Sequence, residues 1–352
     1  MKRCSENPVA LNSVDLVALA ECVEKFASKT VVLLGDFVAD EFQYGEISRV
    51  SREAPVLILR HRETKLVPGG GANAANNLAA LGARVRVVTA VGRDSAGDAL
   101  VEYFRAKRVD VSGIVRVKGW STPTKTRLLA GWAHTVGQQV LRVDREPGTR
   151  LPHAVHKKLQ RLLQARLRSA DALAVSDYGF GVATPELVQQ ARAKRKGGLI
   201  ITLDARYQLN SYARAGVTSS TPNEAELEAQ HHTTIGENIE ELKRCGAETL
   251  AAMKLRSLLV TRGRDGMALF EARGDLTRIP IHGSEQAVDV TGAGDTVLAV
   301  YTLALACDVS ALEAAHIANI AGGLVVMKRG TATVSRDELL EAIRHETAGS
   351  GS

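Results

Sequence analysis

The sequence predicts an α/β fold: a mostly parallel central sheet with helices on both faces, and a small antiparallel β lid standing off it. Three observations carry this. Short apolar, β-branched runs alternate with helical patterns along most of the 352 residues. Two stretches, 37–67 and 112–144, break that rhythm with period-two alternation and no helix between the strands. Polar residues follow the apolar runs again and again, as at the carboxyl edge of an open sheet, where ligands collect.

The elements follow in order. VVLLG (31–35) reads as a buried strand, GANAANNLAALGA (71–83) as a helix and RVRVVTAVG (84–92) as a strand. SAGDALVEYFRAKR (95–108) is a helix and ALAVSD (172–177) a strand. TPELVQQARAKR (184–195) is a helix with Thr184 as N-cap and Pro185 in its first turn. GLIITLD (198–204) and SLLVTRG (257–263) are further strands. Two late helices open with capping boxes, Ser310 to Glu313 and Ser335 to Glu338. In the two interrupted stretches, APVLILRHR, SGIVRVKGW, TPTKTRLLAGW and QQVLRVDRE read as hairpin strands. One unit over 28–346 with both insertions in its lid is expected, with 1–27 and 347–352 peripheral.

Composition bounds the function. The chain is 45% hydrophobic and 24% charged, which fits a globular protein. Aromatics are only 4%, so Leu, Val and Ala must build the core. Cys4, Cys22, Cys245 and Cys307 are far apart without a C-x-x-C pair, which fits reduced thiols in a cytoplasm. No apolar run reaches the length of a membrane span, and residues 1–12 lack the apolar core of a signal peptide. The net charge is +6. Its densest runs, 157–168 and 192–198, read as the solvated side of a leucine-striped helix and a basic helix C-terminus. No nucleic-acid or membrane partner is expected, while a small anionic substrate would benefit from the charge.

Five polar groups follow apolar strands: Gly35 with Asp36; Ser176, Asp177 and Tyr178; Asp204; Thr221 through Glu224; and Thr261 through Gly263. Each alone reads as a turn former or helix cap. Five on one edge point to a ligand site. In DVTGAGDTV (289–297), Gly292, Ala293 and Gly294 open a helix whose first-turn amides lack partners and carry partial positive charge. That suits a transferring phosphoryl group. Asp295 beside it could accept a proton from an attacking hydroxyl, and the helix terminus is expected to keep it ionised. It could equally be an ordinary N-terminal helix charge, and the pattern alone leaves both readings open. Gly69, Gly70 and Gly71 precede a helix carrying Asn73 and Asn77 on one face, which would let a sugar ring lie against backbone. Neither a Walker A loop nor a G-x-G-x-x-G strand–helix fingerprint is present.

At these residues the chain resembles the ribokinase-type (PfkB) family of sugar and nucleoside kinases, from about residue 31 to 343. Gly69, Gly70, Gly71 and Asn73, with Gly82 and Gly92, match one family signature; Asp289, Gly292, Ala293, Gly294 and Asp295 match the other. Asn223 and Glu226 match the family's N-x-x-E, and Thr261, Gly263 and Gly266 its T-x-G-x-x-G. The resemblance implies a ribokinase-like domain with a β lid. It implies Asp295 as base, the 292–294 amides as anion hole, Asn223 and Glu226 organising Mg2+ and phosphate, and Thr261, Gly263 and Gly266 near ATP. It further implies adenine near Asn319, and a K+ ion beside Asp289 and Thr291 and near Val325, Lys328 and Gly330.

Within the family, the likeness is to kinases of D-glycero-D-manno-heptose 7-phosphate that act at C1, on the route to ADP-heptose. It rests on the stretches 35–56, 123–129, 138–146, 176–181 and 327–335. That implies a sugar pocket of Asp36, Asp40, Gly70, Gly71, Asn73, Arg142, Asp144 and Asp177. Phe180 replaces a lysine usual in that group, and Asp204-Ala205-Arg206 stands for its D-P-K. Another family kinase, for fructose, a sugar acid or a nucleoside, therefore stays open, as does a non-catalytic binding protein of the same fold. Many members carry a fused nucleotidyltransferase, so adenylylation is expected from another protein. A homodimer through the lids is expected.

Overall fold

The structure is a computed structural model that describes residues 11, 14–131, 138–193, 198–272, 276–284 and 286–349. After α1 (Leu16–Glu24) come β1 (Thr30–Gly35), β2 (Phe37–Val50), β3 (Leu57–Gly70), α2 (Gly71–Ala80), β4 (Arg84–Gly92), α3 (Ser95–Ala106), β5 (Ile114–Val117), β6 (Thr124–Gly131) and β7 (Gln138–Arg145). Then follow α4 (His153–Leu167), β8 (Ala172–Asp177), α5 (Pro185–Ala193), β9 (Ile200–Ala205), β10 (Ser219–Ser220), α6 (Glu224–His231), α7 (Ile239–Met253) and β11 (Ser257–Thr261). The chain closes with β12 (Met267–Glu271), β13 (Leu276–Ile279), α8 (Ala293–Ala306), α9 (Ala311–Val326) and α10 (Arg336–Gly349).

Among the described residues the main sheet has the order β13-β12-β11-β10-β9-β8-β1-β4-β5. It is parallel from β11 to β5, with antiparallel β12 and β13 at one edge. Strand periodicity divides the core. Val31 and Leu33 of β1 join one apolar cluster with residues of α1, α2, α3, α8, α9 and α10. Val32 and Leu34 point the other way, into a cluster with residues of α4, α5 and α7. Burial on both faces is why these strands read as continuous apolar runs. No helix among the described residues is long and apolar enough to cross a membrane.

The second sheet has the order β3-β2-β6-β7. Its two hairpins, β2–β3 and β6–β7, are antiparallel, but β2 and β6 pair in parallel. The reason is topological: β2 leaves the carboxyl end of β1, and β6 follows β5, so both run outward together. β5 itself corrects the expected lid boundary of 112–144. It pairs with β4 in the main sheet, and Val115 and Val117 enter the second core. With α3 before it, β5 completes an ordinary crossover unit. Its alternation marks an edge strand with one buried face, not a hairpin.

Candidate active site

Strands β11, β10, β9, β8 and β1 are successive neighbours, so their carboxyl ends line up. Asp36, Asp177, Asp204, Thr221 and Thr261 therefore share one edge, as the sequence predicts. Helix α8 starts there too. Gly292 is its N-cap with φ of 81°, a left-handed conformation that suits glycine, and among the described residues no side chain caps the helix. A Cβ on Gly292 would stand 2.4 Å from Asn73 Nδ2. Gly294 has open space instead: the nearest atom to a Cβ would be Asp204 Oδ2 at 3.8 Å. Of the three expected anion-hole amides, that of Ala293 already donates to the Val290 carbonyl at 3.2 Å.

Asp295 lies in the first turn of α8 with 3% of its surface exposed. One carboxylate oxygen accepts from Asn73 Nδ2 at 2.9 Å and the other from the Tyr178 hydroxyl at 3.2 Å. Asn77 Nδ2 donates to the Asn73 carbonyl at 3.0 Å, and the Thr296 hydroxyl donates to Asn77 Oδ1 at 2.9 Å, which ties α2 to α8. Burial pushes the Asp295 carboxyl up to about 7, against these two donors; Asp40 adds to the rise and Lys125 opposes it. This corrects the expectation that the helix terminus keeps Asp295 ionised. Desolvation outweighs the dipole.

Apart from Asn73, the expected sugar residues separate into two groups. Asp36 is fully buried and accepts N–H bonds from Tyr178, Phe180 and Val182 at 2.9, 3.0 and 2.9 Å. Burial, then Asp177 beside it, pushes its carboxyl up to about 7. Asp177 accepts from the Tyr212 hydroxyl at 2.7 Å and the Gly179 amide at 2.9 Å. Both acids thus shape the 178–182 loop. Gly71 donates to the Asp36 carbonyl at 2.9 Å, and Gly70 packs beside Tyr178, so the glycines bring α2 close under that loop.

Asp40, Arg142 and Asp144 belong to the lid. Asp40 pairs with Arg127 at 2.5 Å, and Arg142 Nε donates to Asp144 at 2.7 Å. Arg142 and Asp144 line a cavity of about 440 Å³ with Lys125, Arg150, Tyr178, Phe180 and Arg206. Among the described residues Lys125, Arg150 and Arg206 have no ion-pair partner. Lys125 and Arg150 are absent from the sequence-derived set. Lys125 sits inside the quoted 123–129 stretch, while nothing in the sequence singles out Arg150.

A second cavity, of about 450 Å³, adjoins through Tyr178 and Arg206. Asp204, Thr221, Asn223, Glu226, Thr261, Gly294 and Asp295 line it. Asn223 and Glu226 form a capping box on α6: the Glu226 amide donates to Asn223 Oδ1 at 2.8 Å, and the Asn223 amide donates to Glu226 Oε2 at 2.9 Å. Burial raises Asp204 well above the carboxylate range, and Glu226, Asp295 and Asp177 add to it. Among the described residues the buried Thr221 hydroxyl has no hydrogen-bond partner. Crowded acids and an orphaned hydroxyl fit a magnesium-bearing phosphate chain. A third cavity, of about 180 Å³, opens from Thr261 and Gly294 and is largely apolar; Gly263, Gly266 and Asn319 line it. Asn319 is buried and donates to the Pro280 carbonyl at 2.8 Å.

The expected cation-site residues lie on two joined loops. Asp289 accepts from the Thr291 and Gly330 amides, both at 2.9 Å, and these bonds help hold its carboxyl below the ordinary range although burial opposes them. The Val325 carbonyl accepts the Lys328 amide at 3.0 Å. The Lys328 ammonium is engaged elsewhere, on the Thr333 carbonyl at 2.8 Å and Glu338 at 2.6 Å.

A lidded α/β sheet whose carboxyl edge gathers a buried acid, an open helix start, a carboxylate-rich cavity and a cation-rich one is the architecture of a phosphotransferase acting on a small alcohol. The chain matches the pfkB family of carbohydrate kinases over residues 29–338, and it belongs to that family. It is a ribokinase-like sugar kinase, and the reading as a non-catalytic binding protein falls away. Kinases of this family use ATP with Mg2+.

Two curated relatives, each named bifunctional protein HldE, come from Geobacter metallireducens and Geobacter sulfurreducens. The first is 39% identical over 311 residues, covering 88% of this chain and 62% of the relative. The second is 38% identical over 314 residues, covering 89% and 62%. The chain thus spans about 62% of the length of these relatives. Among solved structures, phosphofructokinase-2 from Escherichia coli in complex with potassium superposes with a TM-score of 0.73 at 18% identity, covering 91% of this chain and 99% of that one. Ribokinase from Arabidopsis thaliana with ribose and ATP gives 0.68 at 20% identity, covering 90% and 98%. These two likenesses concern the fold.

Proposed function

We propose that this kinase transfers the γ-phosphoryl group of ATP to the C1 hydroxyl of D-glycero-D-manno-heptose 7-phosphate. One observation carries the substrate reading: Lys125, Arg142, Arg150 and Arg206 all line the cavity that meets, at Tyr178, the cavity holding Asp295. A substrate with its hydroxyl at Asp295 and a phosphate at its far end matches that arrangement. The lysine missing at Phe180 has substitutes in Lys125, Arg150 and Arg206. A nucleoside would meet charge where it needs an apolar wall. The relatives named HldE, with 34–39% identity, support the same substrate.

The chemistry follows from the residues. Asp295 accepts the proton of the attacking hydroxyl as the new O–P bond forms and the bond to the ADP oxygen breaks. Asn73 and Tyr178 hold its two oxygens. The open start of α8 offers Gly294 and partial positive charge to the transferring group. Asp204, Thr221, Asn223 and Glu226 would hold Mg2+, directly or through water, and bound Mg2+ neutralises phosphate charge. The third cavity would take adenine, beside Gly263, Gly266 and Asn319. Strands β2, β3, β6 and β7 exclude water as a lid. The backbone around Asp289, Thr291, Val325 and Gly330 would hold K+, with Lys328 contributing no side chain. Half-exposed Val140, Leu141 and Val143 on edge strand β7 suit a homodimer through the lids.

Lys125→Met and Arg206→Met test the substrate reading. Each removes a charge-assisted contact of about 1.5–3 kcal/mol, so KM for the heptose phosphate should rise roughly 10- to 100-fold. KM for ATP should change much less. An unchanged KM for the sugar in both variants contradicts the proposal.

A further inference from the structure

Tyr178 stands where the cation-lined and the acidic cavities meet and lines both. Its hydroxyl donates to one oxygen of Asp295 at 3.2 Å, while Asn73 holds the other at 2.9 Å. Its ring carries two cations. Lys125 Nζ lies over it at 5.4 Å from the centroid, and the Arg206 guanidinium at 6.0 Å. Neither cation has an ion-pair partner among the described residues. The ring packs beside Gly70, where a Cβ would come within 3.3 Å of it. Asp36 fixes the backbone beneath, through the amides of Tyr178, Phe180 and Val182. One side chain thus touches the acid, the cation cavity and the acidic cavity, on a loop clamped from below.

We infer that Tyr178 is a positioning residue that couples the cation-lined cavity to Asp295, so that a phosphate held by Lys125 and Arg206 orients the acid for transfer. The coupling is local. A cation over a ring contributes about 0.5–2 kcal/mol, enough to bias the ring's placement. A phosphate that draws both cations changes that bias, and the hydroxyl moves with the ring. The hydrogen bond also favours the carboxylate form of Asp295, the form a base requires. This inference rests on the readings of Asp295 as base and of the cation cavity as a phosphate site.

Tyr178→Phe removes the hydroxyl and keeps the ring. With heptose 7-phosphate, kcat should fall about tenfold for one lost hydrogen bond to a charged group, with KM nearly unchanged. The acid limb of the pH profile should move to higher pH, because the lost donor stabilised the carboxylate. With the same heptose lacking its phosphate, the loss should be smaller, because only the standing hydrogen bond to Asp295 is removed and no phosphate-driven orientation. In a Lys125→Met, Arg206→Met background the loss should again be smaller than with both cations in place, a comparison that holds whatever each background does to stability. An unmoved pH profile, or equal losses with both sugars and in both backgrounds, overturns the inference. Asp295→Asn separates the two levels: near wild-type turnover there removes the base reading itself, and this inference with it, whatever Tyr178→Phe does.

Discussion

Burial sets the behaviour of Asp295 more than its helix does. A carboxyl at about 7 is half ionised near neutrality, which matches a base that takes a proton and later releases it. Turnover should therefore fall below about pH 7, approaching roughly tenfold per unit, if deprotonated Asp295 is required. Asp295→Asn should lower turnover roughly 10²- to 10⁴-fold. Stability carries the opposite sign. The folded value lies above the ordinary 3.8, so between about 4 and 7 the folded chain keeps a proton that the unfolded chain has lost. Wild type loses stability across that window as pH rises, and Asp295→Asn lacks this contribution. Melting curves of both from pH 5 to pH 8 should show the wild type falling relative to the variant; a constant difference contradicts the raised value. The place of Asp295 in the first turn of a glycine-opened helix was legible in DVTGAGDTV, but its titration was not. Its partners Asn73 and Tyr178 lie 222 and 117 residues away, and burial by distant segments leaves no local sign.

Among the elements, capped helices were the most legible. The Ser310–Glu313 and Ser335–Glu338 boxes form as read, because a box needs only local spacing. The same spacing at Asn223 and Glu226 makes a capping box on α6 and also matches the family motif. That double role yields a prediction. Glu226→Ala removes half a cap and should cost about 1 kcal/mol of stability. It should also raise the Mg2+ concentration needed for half-maximal rate, whereas Ala substitution at Ser310 should affect stability alone. Equal Mg2+ requirements in wild type and Glu226→Ala contradict the metal role. Strand β5 departs from the expected hairpin for a physical reason. Four residues alternate identically whether a strand ends a sheet or starts a hairpin, and only the preceding helix α3 decides. The parallel β2–β6 pair was likewise hidden, since pairing direction depends on where two distant strands leave the main sheet.

At the scale of the molecule, strand order turns scattered signals into a site. Asp36, Asp177, Asp204, Thr221 and Thr261 become neighbours because β1 and β8 through β11 are adjacent in the sheet. Their shared edge was legible; the division of labour was not. Asp36 and Asp177 point into the 178–182 loop, an outcome fixed by backbone amides that no residue pattern records. The cation cavity draws Lys125, Arg142, Arg150 and Arg206 from separate segments, so its charge appears only once the lid folds over the sheet. That cavity is the basis for the claim that this kinase acts on a phosphorylated sugar. The most direct measurement is ADP release by the purified chain with ATP and Mg2+, across D-glycero-D-manno-heptose 7-phosphate, the unphosphorylated heptose, fructose, fructose 6-phosphate and a nucleoside. The account predicts the highest kcat/KM for the heptose 7-phosphate, with a 1,7-bisphosphate product and loss of the signal in Asp295→Asn. Turnover that favours the nucleoside or the unphosphorylated sugars would contradict it.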